Sequence, residues 1–449
     1  LLMAGMLCLG LVAGCGKDGG SQGKNSSGTK DTLVVATMAE TPTLSPVEQN
    51  ATAGYYMNLM NFTCLMRLDE DLNPVLDLAE SYEAISDTEW EFKLRQDVKF
   101  HDGTSMKAED VKASLEWAKG FTEVSLYNDN IQSVEVVDDY TVRITTPTPS
   151  PVLLFNLTQH GNAIVPKKLI DEGHDFNTQP IGTGPYKFVS WTRGDQVEFE
   201  AFEDYYLGEP SIKHVIWKII PEGSSRTIAL EAGEVDLVIE VEAMDVERIQ
   251  ENDKLATIQY KPTSVTWVML NNEKQFMDNE NIRHAINCAI DKESVVTVAL
   301  NGLGEPALAQ MPTNIPGVTE ENADQYDVEK AKEWLEKSGV DPAEIKFSII
   351  CSDDTKKRAG EVIQADLKKI GIECSLESMD LATYLSATTE GNYSACIGGY
   401  NTTDQLIYCK GLFHSESIGG SNRARLSDPK VDELIEEAMV TLDADERQK

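Results

Sequence analysis

The segments KFSII (346–350), KKRAGEVIQADLKKI (356–370), IECSL (372–376), LATYLSATT (381–389) and SACI (394–397) decide the fold. In the second segment Ala359, Val362, Ile363, Leu367 and Ile370 recur at helical spacing, and Gly371 stops the helix. The short apolar runs around it read as strands. Strands alternating with helices imply βαβ units and a largely parallel sheet. The alternation extends upstream through a strand at Val265–Leu270 and helices over 281–290 and 328–337.

Farther out the pattern changes. LVVATM (33–38) is a strand leading into the polar turn Glu40-Thr41-Pro42-Thr43-Leu44-Ser45-Pro46, and 53–66 reads as a helix. Glu89–Leu94 alternates, Val98–Phe100 is a short strand, and His101-Asp102-Gly103-Thr104 is a turn. Lys107–Lys119 is a helix with Val111, Leu115 and Ala118 on one face, and Val134–Val137 with Thr141–Thr145 forms a hairpin. Past residue 180, Tyr186–Trp191, Val197–Ala201, Ile212–Ile220 and Val235–Val241 are strands, with a helix near 224–232.

The 449 residues allow about three domains at about 150 residues each, enough for large cores without metal or disulfide staples. Hydrophobic residues at 41% and charged residues at 25% are a globular mix. Lys+Arg at 39 against Asp+Glu at 75 gives a net charge of −36, which repels phosphate backbones and excludes a nucleic-acid binder. No window holds the ~20 consecutive apolar residues of a membrane span.

LLMAGMLCLGLVA (1–13) has the length of a signal-peptide core. It ends in Leu11-Val12-Ala13-Gly14-Cys15, which looks like the bacterial lipobox, so Cys15 is the expected lipidation site. Gly16 to Lys30 is rich in Gly, Ser, Lys and Asn and reads as a tether. The expected location is the outer face of the cytoplasmic membrane or the periplasm, with the membrane engaged only through that lipid. Of the other cysteines, Cys64, Cys288, Cys351, Cys374 and Cys396 lie in apolar runs and are expected as buried thiols.

Several motif matches are empty. Gly19-Gly20-Ser21-Gln22-Gly23 sits in the tether, without the strand and helix of a nucleophile elbow. Asp69, Asp71, Asn73, Asp77 and Glu80 have calcium-loop spacing, but Pro74 stands where the loop needs Gly, so a hairpin turn is expected. The six histidines are scattered, and neither metal nor cofactor site is expected.

Three groups of residues together resemble the family 5 extracellular solute-binding proteins of bacterial ABC importers, the dipeptide, oligopeptide and nickel group. The first joins Leu78-Ala79-Glu80-Ser81-Tyr82 and Phe92-Lys93-Leu94-Arg95 to Val98-Lys99-Phe100-His101-Asp102-Gly103-Thr104 and Ala108-Glu109-Asp110-Val111. The second is Gly182-Thr183-Gly184-Pro185-Tyr186, and the third is Asn281-Ile282-Arg283-His284-Ala285-Ile286-Asn287 with Ala289-Ile290-Asp291-Lys292. Read alone these are mostly architectural positions, which speak for fold more than for ligand chemistry.

The resemblance implies a two-lobe α/β fold of the type II periplasmic-binding-protein kind, with an inserted subdomain and a ligand cleft between the lobes. The expected division is a truncated signal peptide at 1–14, the lipidated cysteine and tether at 15–30, lobe I at 31–54 and 178–262, the insertion at 55–177, and lobe II at 263–449. A segment closing back onto lobe I is expected beyond residue 449. The implied function is capture of an extracellular di- or oligopeptide, or a peptide-like molecule, by a monomer that passes it to permease and ATPase subunits. The alternatives are a lipoprotein peptide sensor, or a binder of a nickel complex or oligosaccharide. No nucleophile–base constellation supports an enzyme.

Peptide binders of the family carry a Trp-x-x-Asp stretch whose aspartate holds the peptide α-amino group. Here the region reads Ala395-Cys396-Ile397-Gly398-Gly399-Tyr400-Asn401-Thr402-Thr403-Asp404. Without gaps Gly399 takes the aspartate position; with a short deletion Asp404 does. The candidate ligand contacts are Glu40, Thr41, Gly399, Tyr400, Asp404, and the two arginines Arg423 and Arg425, which suit an anionic group.

Overall fold

A computed structural model describes residues 30–448 except 316, 322 and 402; Cys15 and the leader lie outside the described residues. Three sheets each carry a core. In the first, the order is Leu237–Val238, Thr32–Thr37, His214–Ile219, Gln196–Ala201, Tyr186–Thr192. Thr32–Thr37 runs parallel to both neighbours, with Val35 opposite Trp217 and Leu237, and the other pairs are antiparallel. Met57 and Met60 of helix Thr52–Asn61 pack on Val35, Phe199 and Trp217 of this sheet.

The second sheet, Ala79–Ser86, Glu89–Leu94, Thr141–Thr145, Ser133–Asp138, is antiparallel throughout. Helix Ala108–Ala118 buries Val111 and Leu115 against its Phe92, Val142 and Ile144. Asp110 anchors that helix. One carboxylate oxygen accepts the N–H of Lys107 at 2.8 Å and the other that of Lys167 at 2.8 Å. Met66–Leu68 and Pro74–Leu76 form the expected hairpin, with Asp69 accepting the N–H groups of Asp71 and Asn73.

In the third sheet, Ala395–Asn401, Lys346–Cys351 and Glu373–Ser378 are parallel, while Ser264–Leu270 joins Ala395–Asn401 antiparallel. Helices Glu280–Ala289, Val328–Ser338 and Asp354–Lys369 bury Ile286, Leu335, Ile363 and Leu367 against it. The third motif is architectural: Asp291 caps helix Lys292–Leu300 through Ser294, and its own N–H donates to buried Asp366 at 2.9 Å. The first and third sheets are the centres of two α/β lobes, and the second forms the inserted subdomain. Cys64, Cys288, Cys351, Cys374 and Cys396 are buried free thiols.

The lobe II sheet is largely parallel as read, with one edge strand entering antiparallel. Three sequence expectations are corrected. The helix read over 53–66 ends at Asn61, where Phe62 turns extended and the Asn61 carbonyl accepts the N–H of Gly184 at 2.9 Å. Val98–Phe100 closes a tight loop, Phe100 N–H to Thr104 and Met106 N–H to Val98, so only a single bridge, Lys99 to Ser105, forms. The strand read over Val235–Val241 shrinks to Leu237–Val238, because Glu240 turns left-handed at φ 59° and its carbonyl is held by Arg226.

The first two motifs of the resemblance lock onto each other. The His101 ring donates from Nε2 to the Gly184 carbonyl at 2.9 Å and faces the Gly182 N–H with Nδ1 at 3.4 Å. A neutral ring satisfies both contacts. A Cβ at Gly184 would lie 2.5 Å from the Met60 carbonyl oxygen and 2.6 Å from the Phe62 nitrogen. Gly184→Ala is therefore expected to lower stability by about 1–3 kcal/mol in urea unfolding, since backbone cannot retreat as a side chain does; an unchanged midpoint contradicts the close approach.

Burial pushes His101 and His160 down to about 4. Between the ordinary histidine value near ~6.5 and that level the unfolded chain binds more protons than the folded one. Their contribution is whole above about pH 6.5 and is lost as pH falls, by up to about 1.4 kcal/mol per unit for each ring. The urea midpoint should drop from about pH 7 to about pH 5.5, and less steeply in His101→Gln. Equal slopes in parent and variant would refute this assignment.

Candidate ligand cleft

Open α/β sheets take ligands at the carboxyl ends of their parallel strands. In lobe I, strand Thr32–Thr37 runs out into Glu40 and Thr41. The Glu40 carboxylate accepts the Trp191 Nε1–H at 2.9 Å and the Gly194 N–H at 3.0 Å. Thr41 is buried and donates to the Thr43 carbonyl at 2.5 Å. Thr43 in turn bonds Asn177, and the Leu44 N–H reaches the Asn177 carbonyl at 3.1 Å, so the turn is fixed to the chain returning from the insertion.

In lobe II, strand Ala395–Asn401 carries Gly398, Gly399 and Tyr400 toward its carboxyl end. Glycines inside a strand mark close approach. A Cβ on Gly398 would meet the Tyr384 hydroxyl at 2.5 Å and Met269 at 2.6 Å; one on Gly399, which is exposed, would meet the Val265 carbonyl at 3.0 Å. The Tyr400 ring stands edge-on to Tyr408, centroids 5.5 Å apart, and Tyr408 likewise to Trp267 at 5.9 Å. Trp267 Nε1–H and the Tyr408 hydroxyl both donate to the Gln310 carbonyl, at 3.0 and 2.9 Å. Burial raises the Tyr400 phenol. Burial also pushes Tyr127 of the inserted subdomain up to about 12, with the neighbouring Tyr400 phenol adding to it.

Asp404 begins helix Gln405–Phe413, its carboxylate accepting the Ile407 N–H at 2.9 Å, and burial raises its pKa. The two arginines differ. Arg425 sits at φ 52° and its Nε–H reaches Glu273 at 2.6 Å. Arg423 is half-buried and, among the described residues, meets no hydrogen-bond acceptor or carboxylate with its side chain. Its guanidinium lies 5.7 Å from the Tyr384 ring centre, with Nη1 3.4 Å from where a Gly398 Cβ would stand. Its backbone is clamped: Tyr393 donates its hydroxyl to the Arg423 carbonyl, and Asn272 binds the Ala424 carbonyl through both backbone and side chain at 2.9 and 2.7 Å. Glu40 and Thr41 therefore belong to lobe I, while Gly399, Tyr400, Asp404, Arg423 and Arg425 gather in lobe II. The sequence reading missed Tyr384, Gly398 and Tyr127; the paired glycines inside a strand were the one available signal.

The model of the bacterial extracellular solute-binding proteins, family 5, matches residues 73–415. The glutathione-binding protein GsiB of Pectobacterium atrosepticum is 28% identical over 436 residues, covering 92% of this chain and 84% of its own. The oligopeptide-binding protein AppA of Bacillus subtilis, solved with a nonapeptide, superposes with a TM-score of 0.79 at 25% identity, covering 93% of this chain and 88% of AppA. NikZ of Campylobacter jejuni, solved with Ni(L-His), gives a TM-score of 0.82 at 25% identity, covering 94% and 88%. With its motifs, its lobes and this match in agreement, the chain belongs to the family 5 bacterial extracellular solute-binding proteins.

Proposed function

We propose that this protein captures a peptide or peptide-like solute between its lobes and delivers it to the permease of an ABC importer, tethered to the membrane by a lipid on Cys15. The observation that carries the reading is the placement of both candidate residue sets at carboxyl ends of parallel strands, Glu40 and Thr41 in lobe I and Gly399 to Asp404 in lobe II. The similarity to GsiB and AppA over nearly the whole chain supports a peptide-like solute. The departure from Trp-x-x-Asp favours a second reading, a non-peptide solute, and the likeness to the nickel-complex structure of NikZ supports it.

Glu40 is occupied by Trp191 and Gly194, and Asp404 caps a helix, so neither carboxylate offers an idle partner for a free α-amino group. The peptide is then held mainly through its backbone, which tolerates many side chains. Mass spectrometry of solute released from purified protein should show short peptides or amide-rich peptide analogues. Recovery of only metal complexes or sugars would favour the second reading.

The division into lobe I (31–54 and 178–262), insertion (55–177) and lobe II (263–449) belongs to the same proposal. Two lobes with a ligand between them close as a hinge. Small-angle scattering should give a smaller radius of gyration with the recovered solute than without it, and an unchanged radius at saturation would count against closure. The anchor has its own check. Cys15→Ala should move the protein out of the membrane fraction or leave it unprocessed, because stable anchoring needs more than one acyl chain. Normal processing with full membrane retention would exclude lipidation there.

A further inference from the structure

The arginines of this chain almost all have work to do. Arg95 pairs with Asp97, Arg143 with Glu89 and Glu91, Arg248 with Asp245 and Glu231, and Arg425 with Glu273. Arg226 is fully buried and spends its guanidinium on the carbonyls of Ile220, Pro221 and Glu240. Arg423 is different. In a chain with 75 carboxylate side chains against 39 Lys and Arg, its guanidinium has no ionic partner among the described residues. Like Arg143, Arg226 and Arg358 it keeps a buried Nε without an acceptor, but those three bond through their other guanidinium nitrogens and Arg423, among the described residues, does not.

This is not the free end of a surface arginine. Asn422 is buried and binds the carbonyls of His414 and Leu426 at 3.1 and 2.9 Å while accepting the Leu426 N–H at 3.1 Å. With Asn272 on Ala424 and Tyr393 on the Arg423 carbonyl, the carbonyls of residues 423 and 424 are tied down. Gly398 leaves room beside the strand for the guanidinium, and the Tyr384 ring borders its other side, its own hydroxyl donating to the Ile397 carbonyl at 3.0 Å. Gly398 lies on the same face of the strand as Tyr400, close to the carboxyl end of strand Ala395–Asn401. A buried donor left unsatisfied is costly, and a planar guanidinium is matched best by a carboxylate taken two-pronged.

We propose that Arg423, set between Gly398 and Tyr384, is the subsite that binds a carboxylate of the transported solute, so that the cleft selects solutes ending in an acid. The inference rests on the solute-capture reading but not on the solute being a peptide. For a peptide, the carboxylate is its C-terminus.

The test uses the full chain, freed of bound solute by denaturation and refolding, in equilibrium dialysis with three probe pools read by mass spectrometry. One pool is tri- to pentapeptides of uncharged residues as free acids, the second the same peptides as C-terminal amides, the third non-peptide mono-, di- and sugar carboxylates. The parent should retain acids at least tenfold over amides. Arg423→Gln should bring that ratio to about one with an unchanged melting temperature, whereas Arg248→Gln, which loses its pairs with Asp245 and Glu231 away from the candidate cleft, should leave the ratio alone. Arg423→Lys, which keeps charge and loses the fork, should reduce the ratio without abolishing it, and it decides the question if Arg423→Gln does not fold. Equal retention of acids and amides, or an acid preference that survives Arg423→Gln, overturns the subsite while leaving peptide capture standing. Retention of non-peptide carboxylates alone, dependent on Arg423, upholds the subsite and removes the peptide reading. Retention of no carboxylate from any pool overturns the subsite.

Discussion

The carbonyl of Asn61 is where this molecule is joined. It ends helix Thr52–Asn61 by accepting the N–H of Gly184 rather than continuing the helical ladder. The chain leaves the first sheet through that helix, builds the whole antiparallel subdomain, and returns at Gly182–Gly184 to resume the same sheet at Tyr186. A Cβ at either glycine would collide with backbone at 60–62. His101 bolts the subdomain to the junction, its ring lying between Gly182 and Gly184 and edge-on to Phe202 with centroids 5.0 Å apart. An insertion needs its two connections side by side, and only residues without side chains allow that contact.

With the junction held, the ends of the strands can be given to other uses. In both lobes the turns after parallel strands are stiffened by polar side chains turned inward: Glu40 on Trp191 and Gly194, Thr43 on Asn177, Asp404 on Ile407. Glu40 and Asp404 satisfy indole or backbone donors that would otherwise be stranded, while Thr43 donates its hydroxyl to the Asn177 side chain. Rigid walls suit the proposed closure, in which each lobe moves as a body. The aromatic trio Trp267, Tyr408 and Tyr400 serves similarly, because two of its polar atoms converge on one carbonyl, that of Gln310.

The fold was largely legible because its signals are local. Helical spacing in 356–370 with Gly371 as a stop matches helix Asp354–Lys369, and the runs around it became parallel strands. The failures occurred where a distant partner overrode local preference. Nothing within 53–66 says that Gly184 will take the Asn61 carbonyl, and nothing within 235–241 says that Arg226 will hold Glu240. The candidate cleft was legible only as a set of residue types. Arg423 and Arg425 are two positions apart and chemically identical, yet Glu273, 152 residues upstream of Arg425, neutralises one and not the other. Such a distinction lives in tertiary contact and has no trace in spacing.

The acidity of the chain and an uncompensated arginine act at different ranges. A net charge of −36 sets the potential met by an approaching solute, but at physiological salt that field fades over about 8 Å. At contact, in a half-buried setting flanked by Tyr384 and strand Ala395–Asn401, the local guanidinium is screened far less and dominates. On the proposed subsite, the exterior slows the encounter of strongly anionic molecules, while the guanidinium attracts a single carboxylate once it has arrived. A zwitterion escapes the first penalty, since it carries little net charge, and still meets the second attraction. Peptides have that charge distribution, so the proposed contact on Arg423 within a chain of net charge −36 favours them over phosphates and polyacids.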